Sequence, residues 1–218
     1  MTSLFDRTFP VVLSGPSGSG KTTVIRELLS RRSDLRFSVS ATTREARPGE
    51  RSGVHYVFLE REDFERRCEH GEMLEWADVH GKLYGTPREN LERAKSDGVH
   101  LLLDVDVQGA RIIRRAVPEA VTIFLLPPSG AWLSRLRSRG SETGPALERR
   151  LRTAEAELMA AEEFEYSIVN DELTEAVRRV ESILDGEESR TARVGRELSQ
   201  LVSALENEIS AARSEAAK

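Results

Sequence analysis

The chain has 218 residues, enough for one ordinary domain with room for an appendage. Lys and Arg number 32 against 37 Asp and Glu, a net charge of -5, which excludes general binding to nucleic acid or anionic membrane and confines any anion site to a local patch. No apolar run reaches the ~20 residues of a membrane-spanning helix, the start MTSLFDRTFP carries no signal-type apolar core, and Cys68 is the lone cysteine, so a cytoplasmic protein without disulfides is expected.

The run from Phe9 to Ser14 is short, apolar and closed by glycine, the pattern of a strand buried on both faces. Val24, Ile25, Leu28 and Leu29 then recur at helical spacing over Lys21 to Arg32. From residue 37 to 84 the texture changes: FSVSATT, HYVFL and MLEWADV read as short strands parted by turn residues, with one short helix over Glu62 to His70 ended by Gly71. A helix is expected over Pro87 to Ser96, a strand over Val99 to Val105, and a helix over Gln108 to Ala116. Val121 to Leu126 reads as a strand stopped by two prolines, Ser129 as the cap of a helix toward Arg139, and Tyr166 to Val169 as a last strand. Alternating strands and helices imply an α/β domain with a parallel sheet flanked by helices, ligands lying beyond the carboxyl ends of the strands.

Between the first strand and helix lies Gly15-Pro16-Ser17-Gly18-Ser19-Gly20-Lys21-Thr22, a full match to GxxxxGKS/T. Glycines let backbone amides turn inward around phosphate oxygens, the helix start adds partial positive charge, and Lys21 supplies a full one. The Thr22 hydroxyl suits Mg²⁺ bound with a nucleoside triphosphate. Alone, this loop leaves GTPases, ATPases and small-molecule kinases open.

The acceptor side is carried by Ser40-Ala41-Thr42-Thr43-Arg44-Glu45-Ala46-Arg47-Pro48-Gly49-Glu50, then Gly53 and Tyr56. Two arginines three apart in a turn can converge on one phosphate, with bidentate guanidinium groups. This run resembles the GMP-binding segment of the guanylate kinase family, roughly SxTTRxxRxGE followed by GxxY. The resemblance continues through Leu74-Glu75-Trp76, Tyr84-Gly85-Thr86, Leu103 to Gly109, Arg139-Gly140 and Val169-Asn170-Asp171, covering about residues 9 to 185.

The resemblance implies a P-loop kinase fold with a small β-rich insert, ATP and GMP as substrates, and Mg²⁺ as cofactor. It assigns Arg44, Arg47, Glu50, Tyr56 and Tyr84 to the GMP phosphate and its surroundings. Ser40, Glu75 and Thr86 fall to the guanine base, Asp104 to the GMP side, and Asp106, through water, to the Mg²⁺ region. Arg135, Arg139 and Arg150 belong to a lid that closes over the transferring phosphoryl group. The implied organisation is a core over 1–36 and 87–186 with a lid about 135–155, a GMP-binding subdomain over 37–86, and an extension over 187–218. Two rivals share the fold: an inactive interaction module, disfavoured by the intact loop, and a kinase for another monophosphate, disfavoured by Glu75 and the SATTR run.

Asn170 is left without a role, since a turn-forming Asn-Asp explains it equally. His55, His70, His80 and His100 show no metal-ligand spacing and read as surface or turn residues, so no structural metal is expected. In the extension Val194, Leu198, Leu201, Leu205 and Ile209 recur every three or four residues. That stripe spans barely two heptads, fewer than a coiled coil usually needs, which leaves three fates open: packing on its own domain, a homodimer through this helix, or fraying.

Overall fold

The computed structural model describes residues 8–79, 81–130, 132–133 and 145–216. Its centre is a five-stranded sheet made of β1 (Pro10–Ser14), β2 (Leu35–Phe37), β7 (His100–Asp104), β8 (Val121–Leu126) and β9 (Tyr166–Val169). The order is β2-β7-β1-β8-β9, and every pairing is parallel. Such a sheet needs cover on both faces, and the period-2 alternation of its strands supplies it. Val11 and Leu13 of β1, Leu102 of β7, and Val121, Ile123 and Leu125 of β8 face one cluster. They meet Val24, Ile25 and Leu28 of α1 (Lys21–Arg31) there. Val12, Leu101 and Leu103 point the other way, onto Leu91 and Ala94 of α3 (Arg88–Ser96) and Ala110 and Ile113 of α4 (Val107–Ala116).

The second sheet runs β4-β3-β6-β5, from β3 (Ala41–Thr42), β4 (Val57–Phe58), β5 (Met73–Val79) and β6 (Lys82–Pro87). Helix α2 (Arg61–Glu69) closes it through Phe64, which is fully buried with Ala41, Met73 and Leu83. Gly71 follows α2 with φ 70°, the left-handed turn that its place after the helix requires.

One expected strand is corrected. The run FSVSATT divides: Phe37 ends β2 in the large sheet, and Ala41 opens β3 in the small one. Between them Ser38 donates its amide to Leu102 O at 2.8 Å, while Asn90 of α3 donates to the Ser38 hydroxyl and Val39 carbonyl, both at 3.0 Å. After that last bond to β7 the crossing chain finds its partners in α3. The sequence reading also missed β6, because Lys82 lies beside the Gly81 turn and the strand ends in Pro87.

Helix α5 (Pro145–Met159), a 3₁₀ turn (Ala160–Glu163), α6 (Leu173–Glu188) and α7 (Thr191–Ala216) complete the chain. Ala176, Val177, Val180 and Leu184 press α6 onto the same core face as α1. His100 departs from its expected surface position: it is buried at the start of β7, where Nδ1 accepts from the Phe9 amide at 3.2 Å and Nε2 faces Glu188 at 3.1 Å. Asp34, His100 and Glu188 come close enough to suggest a metal cluster. Arg32, however, already bridges both carboxylates. Since Nδ1 accepts, Nε2 carries the ring proton toward Glu188, so Arg32 pairs with both acids and His100 adds a hydrogen bond, together clasping strand and helix ends.

Candidate active site

Beyond the carboxyl ends of β1 and β7 opens a cavity of about 360 Å³, walled on one side by the loop of residues 15–21 and on the other by Tyr56, Asp104 and Asp106. The loop is held from outside. Gly15, at φ 145°, passes so close to β8 that a Cβ would stand 2.3 Å from Leu125 O. Gly20, at φ 93°, lies against Asn170, whose side-chain amide donates to Ser19 O at 2.7 Å. The half-buried Trp132 donates its indole N–H to Ser17 O at 3.0 Å. With those outer contacts made, the amides of Gly18, Gly20, Lys21 and Thr22 have no hydrogen-bond partner among the described residues. They open α1, where partial positive charge gathers, and so form an anion cradle.

Lys21 Nζ donates to Gly15 O at 2.6 Å, folded across the loop, and its charge acts on Asp104 and Glu157. Burial pushes the Asp104 carboxyl up, opposed by Lys21. Burial likewise raises Glu157 of α5, opposed by Lys21 and by the Ser17 amide. Asp106 accepts from Gly109 N at 2.8 Å, capping α4, and still lines the cavity. Ser19 Oγ is buried with no partner among the described residues, an oxygen left for a ligand. Carboxylate and hydroxyl oxygens are the donors a hard cation takes, so this wall fits Mg²⁺ carried by a triphosphate.

On the far side of the cavity lies the small sheet. Arg44 grips Glu50 with both ends of its fork, at 2.9 and 3.0 Å, and the Arg47 amide donates to the same carboxylate at 2.7 Å. These donors, Arg44 first, hold the Glu50 carboxyl down at about 2. The Arg44 guanidinium also lies 5.3 Å from the Tyr56 ring centroid, and Tyr56 meets Tyr84 edge-on at 6.0 Å. The Arg47 side chain is exposed.

Glu75 of β5 and Thr86 of β6 are register partners, and the Thr86 hydroxyl donates to Glu75 Oε1 at 2.7 Å. Glu75 is 8% exposed, a buried acid in a strand whose next residue, Trp76, is exposed. Burial pushes its carboxyl up, Thr86 pulls it back and Asp106 adds repulsion. Gly109 leaves room for this acid: a Cβ there would stand 3.2 Å from Glu75 Oε2. Ser40 precedes β3, and its carbonyl accepts from Val57 N at 2.9 Å.

The structure therefore gathers Lys21, Tyr56, Asp104 and Asp106 around one cavity, with Arg44, Glu50 and Tyr84 joined to it through Tyr56. Glu75 and Thr86 lie behind Asp106, across the first turn of α4. Thr22 is exposed at the start of α1. Arg135 and Arg139 lie outside the described residues. Arg150 is on α5, but its side chain too is outside them. Sequence reasoning missed Trp132 and Glu157 and left Asn170 unassigned. A tryptophan N–H needing a partner was the one available signal; nothing local marks Glu157.

A parallel sheet whose first strand runs through a glycine cradle into a helix, with an arginine and carboxylates across the cleft, has the architecture of a P-loop phosphotransferase. The guanylate kinase family model matches residues 7–187. A guanylate kinase of Symbiobacterium thermophilum is 45% identical over 186 residues, 85% of this chain and 88% of that protein. One from Corynebacterium jeikeium is 46% identical over 177 residues, 80% of this chain and 94% of that protein. The crystal structure of guanylate kinase from Anaplasma phagocytophilum superposes with a TM-score of 0.71 at 38% identity, covering 85% of this chain and 89% of that one. The chain belongs to the guanylate kinase family, and its function is that of a nucleoside monophosphate kinase.

Proposed function

We propose that the chain transfers the γ-phosphoryl of ATP to GMP, and to dGMP, giving ADP and the nucleoside diphosphate. The observation that carries this reading is Tyr56. It lines the cavity walled by the phosphate loop and also packs against Arg44, so donor cradle and acceptor arginine share one cleft.

The unpaired amides of the loop and Lys21 hold the ATP phosphates, Lys21 leaving Gly15 O to do so. Arg44, oriented by Glu50, acts with Arg47, Tyr56 and Tyr84 on the GMP phosphate, and Asp104 closes the acceptor side. Guanine offers two adjacent N–H donors, which Glu75 accepts, with Ser40 and Thr86 completing the edge. Adenine would leave these buried groups unpaired. Mg²⁺, held by the Thr22 hydroxyl and through water by Asp106, would neutralise charge between the phosphates. The attacking phosphate oxygen is already anionic at neutral pH, so no general base is needed. Arg135, Arg139 and Arg150 complete the charge on closure of a lid over about 135–155, which also keeps water out.

The division into a core (1–36 and 87–186), a GMP-binding subdomain (37–86) and an extension (187–218) belongs to the same proposal, as does a cytoplasmic setting. No helix among the described residues is long and apolar enough to cross a membrane. A second copy of the chain is the proposed partner of α7. The test of function is ADP formation with GMP, AMP, CMP and UMP at equal concentration. Turnover selective for GMP is expected; equal use of AMP would overturn the assignment.

A further inference from the structure

Helix α7 lies beyond residue 187, where the family match ends, yet its root is firmly held. Glu187 at the end of α6 is 1% exposed and accepts from the Tyr166 hydroxyl at 2.5 Å, Arg193 at 2.7 Å and Arg190 at 3.0 Å. Arg193 also sits 4.2 Å over the Phe9 ring and donates to Glu119 O at 2.9 Å. The first turn of α7 is thus fastened to the core, and the helix grows from a nucleus already formed.

Past that root, every side chain from residue 198 to 214 is exposed. Leu198, Val202, Leu205 and Ile209 stand 41%, 44%, 46% and 53% exposed, a row of large apolar groups along one helix. Their spacing is a heptad. Gly195, Val202 and Ile209 fall at one seam position and Leu198, Leu205 and Ala212 at the other, in alternating steps of three and four. β-Branched residues at the first position with leucine at the second favour a parallel two-stranded coiled coil.

Charge agrees with that orientation. Glu208 and Arg213 flank the seam, and neither has an opposite charge three or four residues away in its own helix. Neither makes an ion pair among the described residues. In a parallel pair in register, Glu208 of one chain faces Arg213 of the partner subunit, five residues on, and the twofold axis repeats the contact. An antiparallel pair sets such glutamates on the side away from Arg213.

Deepening the self-pairing proposed above, we infer that two chains join through residues 195–212 of α7 as a parallel, in-register coiled coil. The seam is under three heptads, so the dimer is concentration-dependent. Sedimentation equilibrium of the full chain at about 100 µM should give twice the 24.4 kDa monomer mass. Leu205→Asp should return it to monomer with unchanged GMP-dependent turnover. A wild-type monomer at that concentration, or a dimer that survives Leu205→Asp, overturns the self-pairing.

Orientation is read separately. In a Cys68→Ser background, Ala212→Cys chains should form a disulfide with one another under mild oxidation. A disulfide that forms only between Ala212→Cys and Gly195→Cys chains would instead establish the antiparallel pair. Glu208→Arg should weaken the dimer about fivefold, and adding Arg213→Glu should restore it. No restoration would overturn the register. Phosphoryl transfer, followed as ADP release in each variant, reports independently on the kinase reading.

Discussion

Replacing Glu75 by glutamine should cost activity and raise stability, a pairing that separates a substrate reader from a structural acid. Thr86 donates to Oε1, so the glutamine carbonyl is retained there and its NH₂ takes the place of Oε2. One guanine N–H then loses a charged acceptor and meets a donor. A lost charge-assisted bond with a buried group left unpaired amounts to about 3 kcal/mol, or ~100-fold in kcat/KM for GMP. Adenine, with an acceptor beside a donor, suits an amide better, so AMP turnover should rise and the GMP preference fall further.

In the free enzyme the same exchange removes a desolvated carboxylate. Burial raises the folded pKa above the ordinary 4.5, with Thr86 opposing. The unfolded chain therefore gives up this proton first, and folding stability declines as pH climbs through that interval. Glu75→Gln should melt at or above wild type at pH 7, the difference closing below pH 4.5. Steady-state kinetics with GMP and AMP, beside melting curves, decide the matter. A GMP preference within about threefold of wild type, or a melting point several degrees lower, refutes the reasoning.

Lys21→Ala should abolish turnover, by about 10³-fold or more, while melting within a few degrees of wild type, since among the described residues Nζ makes one hydrogen bond, to Gly15 O. Gly20→Ala should destabilise by about 2 kcal/mol, because φ is 93° and the Cβ would meet Asn170 Nδ2 at 2.3 Å; denaturant unfolding measures it. Glu187→Gln should cost about 2–3 kcal/mol, lowering the melting point by roughly 5–10 °C. Burial alone would raise the Glu187 carboxyl, but Tyr166, Arg193 and Arg190 together hold it below 4.5. Its contribution is therefore present at neutral pH and fades as pH falls below that value, so wild type and variant should converge in acid.

What could be read in the sequence was what the chain holds contiguously. The phosphate loop needs only glycines, a lysine and a hydroxyl in fixed order between a strand and a helix, and covalent spacing supplies that order. The Ser40 to Glu50 run was legible for the same reason: Arg44, Arg47 and Glu50 meet within one turn. Periodicity likewise announced β5 and β9 with their observed bounds. Tertiary structure decided what distant segments do to one another. Asn170 and Trp132 brace a loop more than a hundred residues away, and FSVSATT is shared between two sheets because α3 supplies the crossing with hydrogen bonds. Glu75 is buried because Gly109 lets α4 approach β5, which nothing in the sequence around Glu75 states. Burial, charge pairing and capping depend on which elements pack together, and one-dimensional spacing does not encode that packing.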